Sequence, residues 1–367
     1  MRVRLLVAAL VAAAFAAGPL FTASPKAQQR GLTRAEETIV SRSSEQPQPS
    51  AYPVAMPPGV DLEVLPALGN VYLIAGGKSN VAVQVGDEGV FVVDTATADI
   101  SEQVIKAIRV LSRGPINYIV TTSFDPDHFG GNERVSNAGE NPTVLRPRLA
   151  GPGAAVAPQG GAAPERSQGA IVFSSENTLN RMSAPTGETS AVPFALWPSN
   201  TFFTPRKALS FNGEPIEMLH PAAAHTDGDV MVFFRRSDVI ATGDIINTLG
   251  YPSFDAKRGG SIAGLLSALN DVIEVTVPRF NQQAGTRVIP GHGRILNEQD
   301  VVEYRDMMTI IHDRVKLAVD KGMTLAQLTA QQPTLDYDGL YSKPGWTGEI
   351  LVEAIYNDLK KPQPRAP

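Results

Sequence analysis

The residues best suited to chemistry in this chain are histidines and aspartates that follow short apolar runs. Asp127-His128 precedes Phe-Gly-Gly-Asn, His225 opens His-Thr-Asp-Gly-Asp, Gly243-Asp244 follows Val-Ile-Ala-Thr, and His292 lies in Pro-Gly-His-Gly. A lone histidine near a strand end is ordinarily a surface or capping residue. Here several recur at the ends of strands in one sheet system, and strand ends on one edge converge, so imidazoles and carboxylates are expected to meet. The chain has no cysteine, which removes disulfides, thiolate zinc sites, iron–sulfur clusters and thiol nucleophiles. Any metal must be held by imidazole and carboxylate.

The elements that must position these groups are legible as hydrophobic periods. Val71–Ala75, Val81–Val85 and Gly89–Asp94 read as an antiparallel meander. Ile100, Val104, Ile105, Ile108 and Leu111 have helical spacing, stopped at Gly114-Pro115. The strand Ile116–Val120 then runs into the segment holding Ser123, Asp125, Asp127 and His128. Ala208–Phe211 and Ile216–Leu219 lead to His220 and His225, and Val230–Phe234 and Val239–Thr242 lead to Asp244. After a helix near Ile262–Glu274, the strand Thr286–Ile289 leads to His292. Amphipathic helices follow over Glu298–Lys321 and Thr347–Leu359. This order predicts a two-layered sheet core with helices outside.

Composition narrows the function classes. With 32 Lys+Arg against 37 Asp+Glu the net charge is −5, so no basic surplus neutralises phosphates and nucleic acid is not an expected partner. There is no Gly-x-Ser-x-Gly elbow, no phosphate loop and no aromatic-basic interleaving. A small-molecule substrate is expected, and oligomeric state is not readable.

Arg2 and Arg4, the apolar run Leu5–Ala17 and a small-residue stretch to Ala27 predict a signal peptide over residues 1–27. The run is short of the ~20 residues a membrane span needs. A periplasmic or secreted protein, with no stable membrane span after cleavage, is therefore expected, an uncleaved anchor being the alternative. Residues 28–58 read as a flexible leader, residues 59–297 as the folded domain and residues 298–367 as a C-terminal helical extension. Between Gly151 and Ala170, 14 of 20 residues are Ala, Gly or Pro, a low-complexity insertion that cannot pack a core. Order is expected to resume near Pro205.

From about Val60 to Leu296 the series of motifs resembles the metallo-β-lactamase fold superfamily of metallohydrolases. The likeness is nearest to exported members whose middle motif reads Ala-Ala-His-Thr-Asp-Gly-Asp. It implies an α+β four-layer αβ/βα sandwich, with two facing mixed β-sheets, outer helices and a metal site along one edge. The family signature on the first loop is His-x-His-x-Asp-His. Aligned on Asp127-His128, this sequence has Ser123 and Asp125 where the first two signature histidines stand. The resemblance thus implies one metal group of Asp127, His128, His292 and the shared Asp244. The other keeps His225 and Asp244, with Asp125 as an oxygen replacement.

These donors suit Zn²⁺ or Fe²⁺. One ion is expected at the first group, a second through Asp125 or none at all being the alternatives. A bound divalent ion lowers the pKa of its water and polarises a carbonyl or phosphoryl oxygen. Asp127 or Asp125 is expected to orient that water or take its proton. The activity implied is hydrolysis of a small ester, amide, lactone or thioester; the alternative is a degenerate fold member that binds a metal or small ligand without turnover. His220 reads either as a substrate contact or as a cap on the turn before Pro221. Asn132 reads as a turn residue bonded to its own backbone, Asp94 as structural, and Thr226 and Asp229 as fixing the His225 loop. Tyr251 and Phe254 are pocket wall or core, and His312 is a solvated helix residue.

Overall fold

The computed structural model describes residues 54–143, 169–187, 189–276 and 285–361. The predicted signal peptide, nearly all of the leader, and residues 151–168 of the low-complexity insertion lie outside the described residues. Among those described, no helix is long and apolar enough to cross a membrane.

The first sheet is built in chain order. Strands β1 (Glu63–Leu68), β2 (Val71–Ala75), β3 (Val81–Gly86) and β4 (Gly89–Val93) form an antiparallel meander, the last three as the sequence predicts and β1 in addition to them. Helix α1 (Ser101–Leu111) crosses over to β5 (Ile116–Val120), which lies parallel to β4. Two short helices follow, α2 (Pro126–Phe129) and α3 (Asn132–Asn137). Then β6 (Ile171–Ser175), helix α4 (Glu176–Ser183) and β7 (Asn200–Phe202) complete a seven-stranded sheet by parallel pairing.

Order therefore resumes well before Pro205. The reason it escapes the sequence pattern is that β6 buries polar residues: Ser174 and Ser175 are fully buried, their hydroxyls donating to the carbonyls of Thr121 and Gly228 at 2.9 and 2.7 Å. Polar side chains satisfied in this way are tolerated inside a core.

The second sheet holds β8 (Arg206–Phe211), β9 (Glu214–Leu219), β10 (Met231–Phe234), β11 (Val239–Ala241) and, after helix α5 (Ile262–Thr276), β12 (Arg287–Ile289). Its pairs are antiparallel except the last, β11 with β12. Helices α6 (Glu298–Asp320), α7 (Leu325–Thr329), α8 (Leu335–Tyr341) and α9 (Gly348–Leu359) follow.

Strand periodicity makes the layers. Along β2, Val71 and Leu73 face the second sheet while Tyr72 and Ile74 pack under α1; β4 divides Phe91 and Val93 from Val90 and Val92 in the same way. Phe91, Phe211 and Phe234 meet between the sheets, with an edge-to-face contact of 5.7 Å from Phe91 to Phe234. On the far side of the second sheet, Met231 and Ile240 share a core with Leu265, Leu269, Met308, Ile311, Leu351 and Ile355. The helices after Glu298 thus cover that sheet directly. The result is a four-layer α+β sandwich with two mixed sheets inside and helices outside, as expected. Tyr251 and Phe254 are buried in the core of the second sheet rather than on a pocket wall.

Candidate metal centre

Strand ends from both sheets deliver the site. The chain leaving β4 reaches Asp94, which holds a left-handed φ of 64° that Asp tolerates better than most residues. Its carboxylate accepts from the Thr122 backbone N–H at 2.8 Å and hydroxyl at 2.7 Å, just past β5, and bonds His128 Nδ1 at 2.7 Å. His128 comes from α2, whose first residue is Pro126, a position where the missing N–H costs nothing. From the second sheet, Asp244 follows β11 after Gly243, whose φ is +54° and where a Cβ would sit 2.6 Å from the Thr122 hydroxyl. His292 follows β12, and its Nδ1 donates to the Lys78 carbonyl at 2.7 Å.

These constraints aim the second ring nitrogens at one oxygen. His128 Nε2 and His292 Nε2 each lie 3.0 Å from Asp244 Oδ1, with the two rings perpendicular and 5.4 Å apart. Asp127 Oδ2 is 3.7 Å from His292 Nε2. Tetrahedral ligands about 2.1 Å from an ion stand roughly 3.4 Å apart, so these separations fit a divalent ion among Asp127, His128, His292 and Asp244. Each imidazole carries an acceptor on its Nδ1 side, the arrangement that orients metal-binding histidines.

A second group lies beside the first. Asp125, His225 and Asp244 bring ligand atoms within 4.8 Å of one another. His225 Nδ1 is buried without a hydrogen-bond partner, yet it faces Asp125 Oδ2 and Asp244 Oδ2 at 3.8 Å and Asp229 Oδ1 at 3.9 Å. Ser123 Oγ is 3.1 Å from Asp244 Oδ2 and 3.4 Å from Asp125 Oδ2. All six residues expected in the site, Asp125, Asp127, His128, His225, Asp244 and His292, are therefore together.

Electrostatics show what the centre attracts. Burial disfavours charge on His128, but the Asp244 and Asp94 carboxylates outweigh it and hold the imidazole well above its ordinary value. Burial likewise pulls His292 down while its bond to Asp244 raises it above the usual range. Asp244 is buried, yet His128 and His292 hold it well below the usual carboxylate value. Burial pushes Asp229 up to about 6 against the pull of His225 and of Thr226. The cluster thus draws positive charge to Asp244, as protons on imidazoles or as a metal ion.

Supporting residues divide between expected and new. Thr226 donates to both oxygens of Asp229, through its N–H at 2.8 Å and its hydroxyl at 2.6 Å, and so fixes the His225 loop as expected. His220 donates from Nδ1 to the Asp229 carbonyl at 2.7 Å, propping the same loop. Asn132 is structural for a different reason than expected: it starts α3, and its side chain bonds Thr121, Thr95 and the Leu196 carbonyl instead of its own backbone. His312 is on α6, paired with Asp313 at 2.9 Å. Asp94 proves to be the partner of a site imidazole, and its position at the end of a buried strand is the same signal that marks Asp244. Arg258 is new to the site, donating to Asp125 at 2.8 Å; no motif surrounds it in the sequence.

Comparison with known proteins bears on the family and the fold. The metallo-beta-lactamase superfamily model matches residues 68–292. The stereoselective inverting sec-alkylsulfatase Pisa1 from Pseudomonas sp. superposes with a TM-score of 0.54 at 15% identity, covering 83% of this chain and 52% of that one. The chain thus spans about half the length of that enzyme. A metallo-beta-lactamase from Pontibacter korlensis gives 0.48 at 18% identity, over 68% of this chain and 99% of that one. No curated protein matches the sequence.

Proposed function

The chain belongs to the metallo-beta-lactamase superfamily, and on that premise we propose that it is a metal-dependent hydrolase of a small ester, amide, lactone or thioester, made for export. One observation carries the reading: Nε2 of His128 and of His292 converge on Asp244 Oδ1 while Asp94 and the Lys78 carbonyl hold the opposite ring nitrogens. Asp127, His128, His292 and Asp244 would hold Zn²⁺ or Fe²⁺, which when bound supplies Lewis acidity and makes water acidic enough to attack near neutral pH. Asp94 keeps the His128 ring oriented and its Nδ1 proton in place. Ser123 steadies Asp244 from the side of Oδ2. Of the two carboxylates expected to take a proton, Asp125 is engaged by Arg258, which leaves the Asp127 carboxylate as the acceptor.

A second reading has its own observation. Ser123 and Asp125 stand where two signature imidazoles would be, which favours a member that binds a metal or small ligand without turnover. Elemental analysis of the purified protein, with a screen of ester, lactone, thioester, β-lactam and alkyl sulfate substrates, separates the two. A hydrolase should lose activity ~100-fold or more in Asp127→Ala. Bound metal with equal background rates in both proteins establishes the binding reading, and no metal after careful loading sinks the hydrolase. Export rests on residues 1–27: the N-terminus of protein recovered from cells should lie beyond the apolar run, and an intact Met1 would refute cleavage.

A further inference from the structure

On the proposed reading of the site, we infer that Arg258 takes the place of a second metal ion, so that the chain holds one ion where the family's paired groups have room for two. Of the two residues that stand in for the missing imidazoles of the second group, Ser123 offers a neutral hydroxyl and Asp125 a carboxylate, and Asp125 Oδ1 accepts from Arg258 Nη1 at 2.8 Å. Its other oxygen lies near Ser123 and His225. Both partners of the ion pair are three-quarters buried, and a guanidinium does not release its proton. A fixed positive charge therefore stands beside the position where a divalent cation would have to enter.

The arginine is held there by construction. Its Nε donates to Asp255 Oδ2 at 2.7 Å, and its guanidinium carbon lies 5.9 Å from the centre of the Phe124 ring. Asp255 caps the turn Ala256–Arg258 through the backbone N–H groups of Lys257 and Arg258. That turn is tied to the His225 loop: Asp255 N–H donates to the His225 carbonyl at 2.7 Å, and Asp227 N–H donates to the Arg258 carbonyl at 3.0 Å. Gly260 comes so close that a Cβ there would sit 2.1 Å from the His225 carbonyl oxygen. The imidazole of the second group and the cation that neutralises it are thus delivered by one connected piece of backbone. Asp127, His128 and His292 lie outside this arrangement and keep their capacity for a metal.

Titration of chelator-treated full-length protein with Zn²⁺ alone, read by calorimetry and by bound equivalents, tests the assignment. Wild type and Arg258→Lys should each take one equivalent. Arg258→Met, which keeps the length and removes the charge, should take a second equivalent at least tenfold more tightly than wild type does. Asp125→Asn, independent of how the arginine variants fold, should bind its first equivalent within twofold of wild type. Two tight equivalents in wild type, an unchanged single equivalent in folded Arg258→Met, or loss of the first equivalent in Asp125→Asn would each overturn the inference while leaving the metal centre standing. No binding in any of the four proteins would overturn both.

Discussion

Asp94 shows how a residue outside the proposed ligand set controls it. Its bond to His128 Nδ1 settles which ring nitrogen is available, and Thr122 holds the carboxylate from two sides. Asp94→Asn retains the side chain's shape and its tolerance of positive φ but turns a strong acceptor into a mixed donor and acceptor. Metal affinity should fall 10- to 100-fold, measurable by Zn²⁺ titration, while circular dichroism remains that of wild type; unchanged affinity would remove Asp94 from the mechanism. At this scale the sequence was informative wherever a motif surrounds the residue. Asp127, His128, His225, Asp244 and His292 were found by type, spacing and resemblance. Arg258 was not, because its role comes from a turn that folds back against His225, a tertiary contact with no local pattern.

Among the elements, α6 has the best-defined start. Asn297 and Asp300 form a reciprocal capping box, with each side chain accepting from the other's backbone N–H, and Arg294 bonds Asp300 at 2.6 Å. Hydrogen bonding to Arg294 outweighs partial burial and holds Asp300 below the ordinary carboxylate value. A native value below the unfolded one means that the stabilisation is present above the unfolded value near 3.8 and is lost as pH falls through the lower native value. Asp300→Asn should therefore cost about 1 kcal/mol at neutral pH. The gap from wild type, followed by urea unfolding, should narrow as pH drops from about 5 to 3; a constant gap would mean that charge is not involved. Strands with alternating or continuous apolar residues were legible, whereas β6 and β7 were not. In β6 the apolar run is only Ile171–Phe173, and it is continued by two buried serines whose value depends on acceptors in other loops.

Across the whole molecule, the helices after Glu298 share one core with the second sheet. Amphipathic periods predict a helical extension, but periodicity says only that one face is buried, not against what. Ile355 on α9 is fully buried among these groups. Ile355→Ala should destabilise the protein by about 2–5 kcal/mol and lower a single calorimetric transition. Two separated transitions, with only the lesser one shifted, would show the helices to be an independent unit. One contact in the fold bears on synthesis as well as chemistry. The Lys78 carbonyl that orients His292 lies in the turn between β2 and β3, 214 residues earlier in the chain, and Asn80 in the same turn bonds the carbonyls of Pro290 and Gly293. Any chain interrupted before residue 292 lacks His292, and any chain whose last strand has not docked beside the β2–β3 turn has that imidazole unaimed. Competence to hold the proposed ion is thereby made conditional on a completed chain.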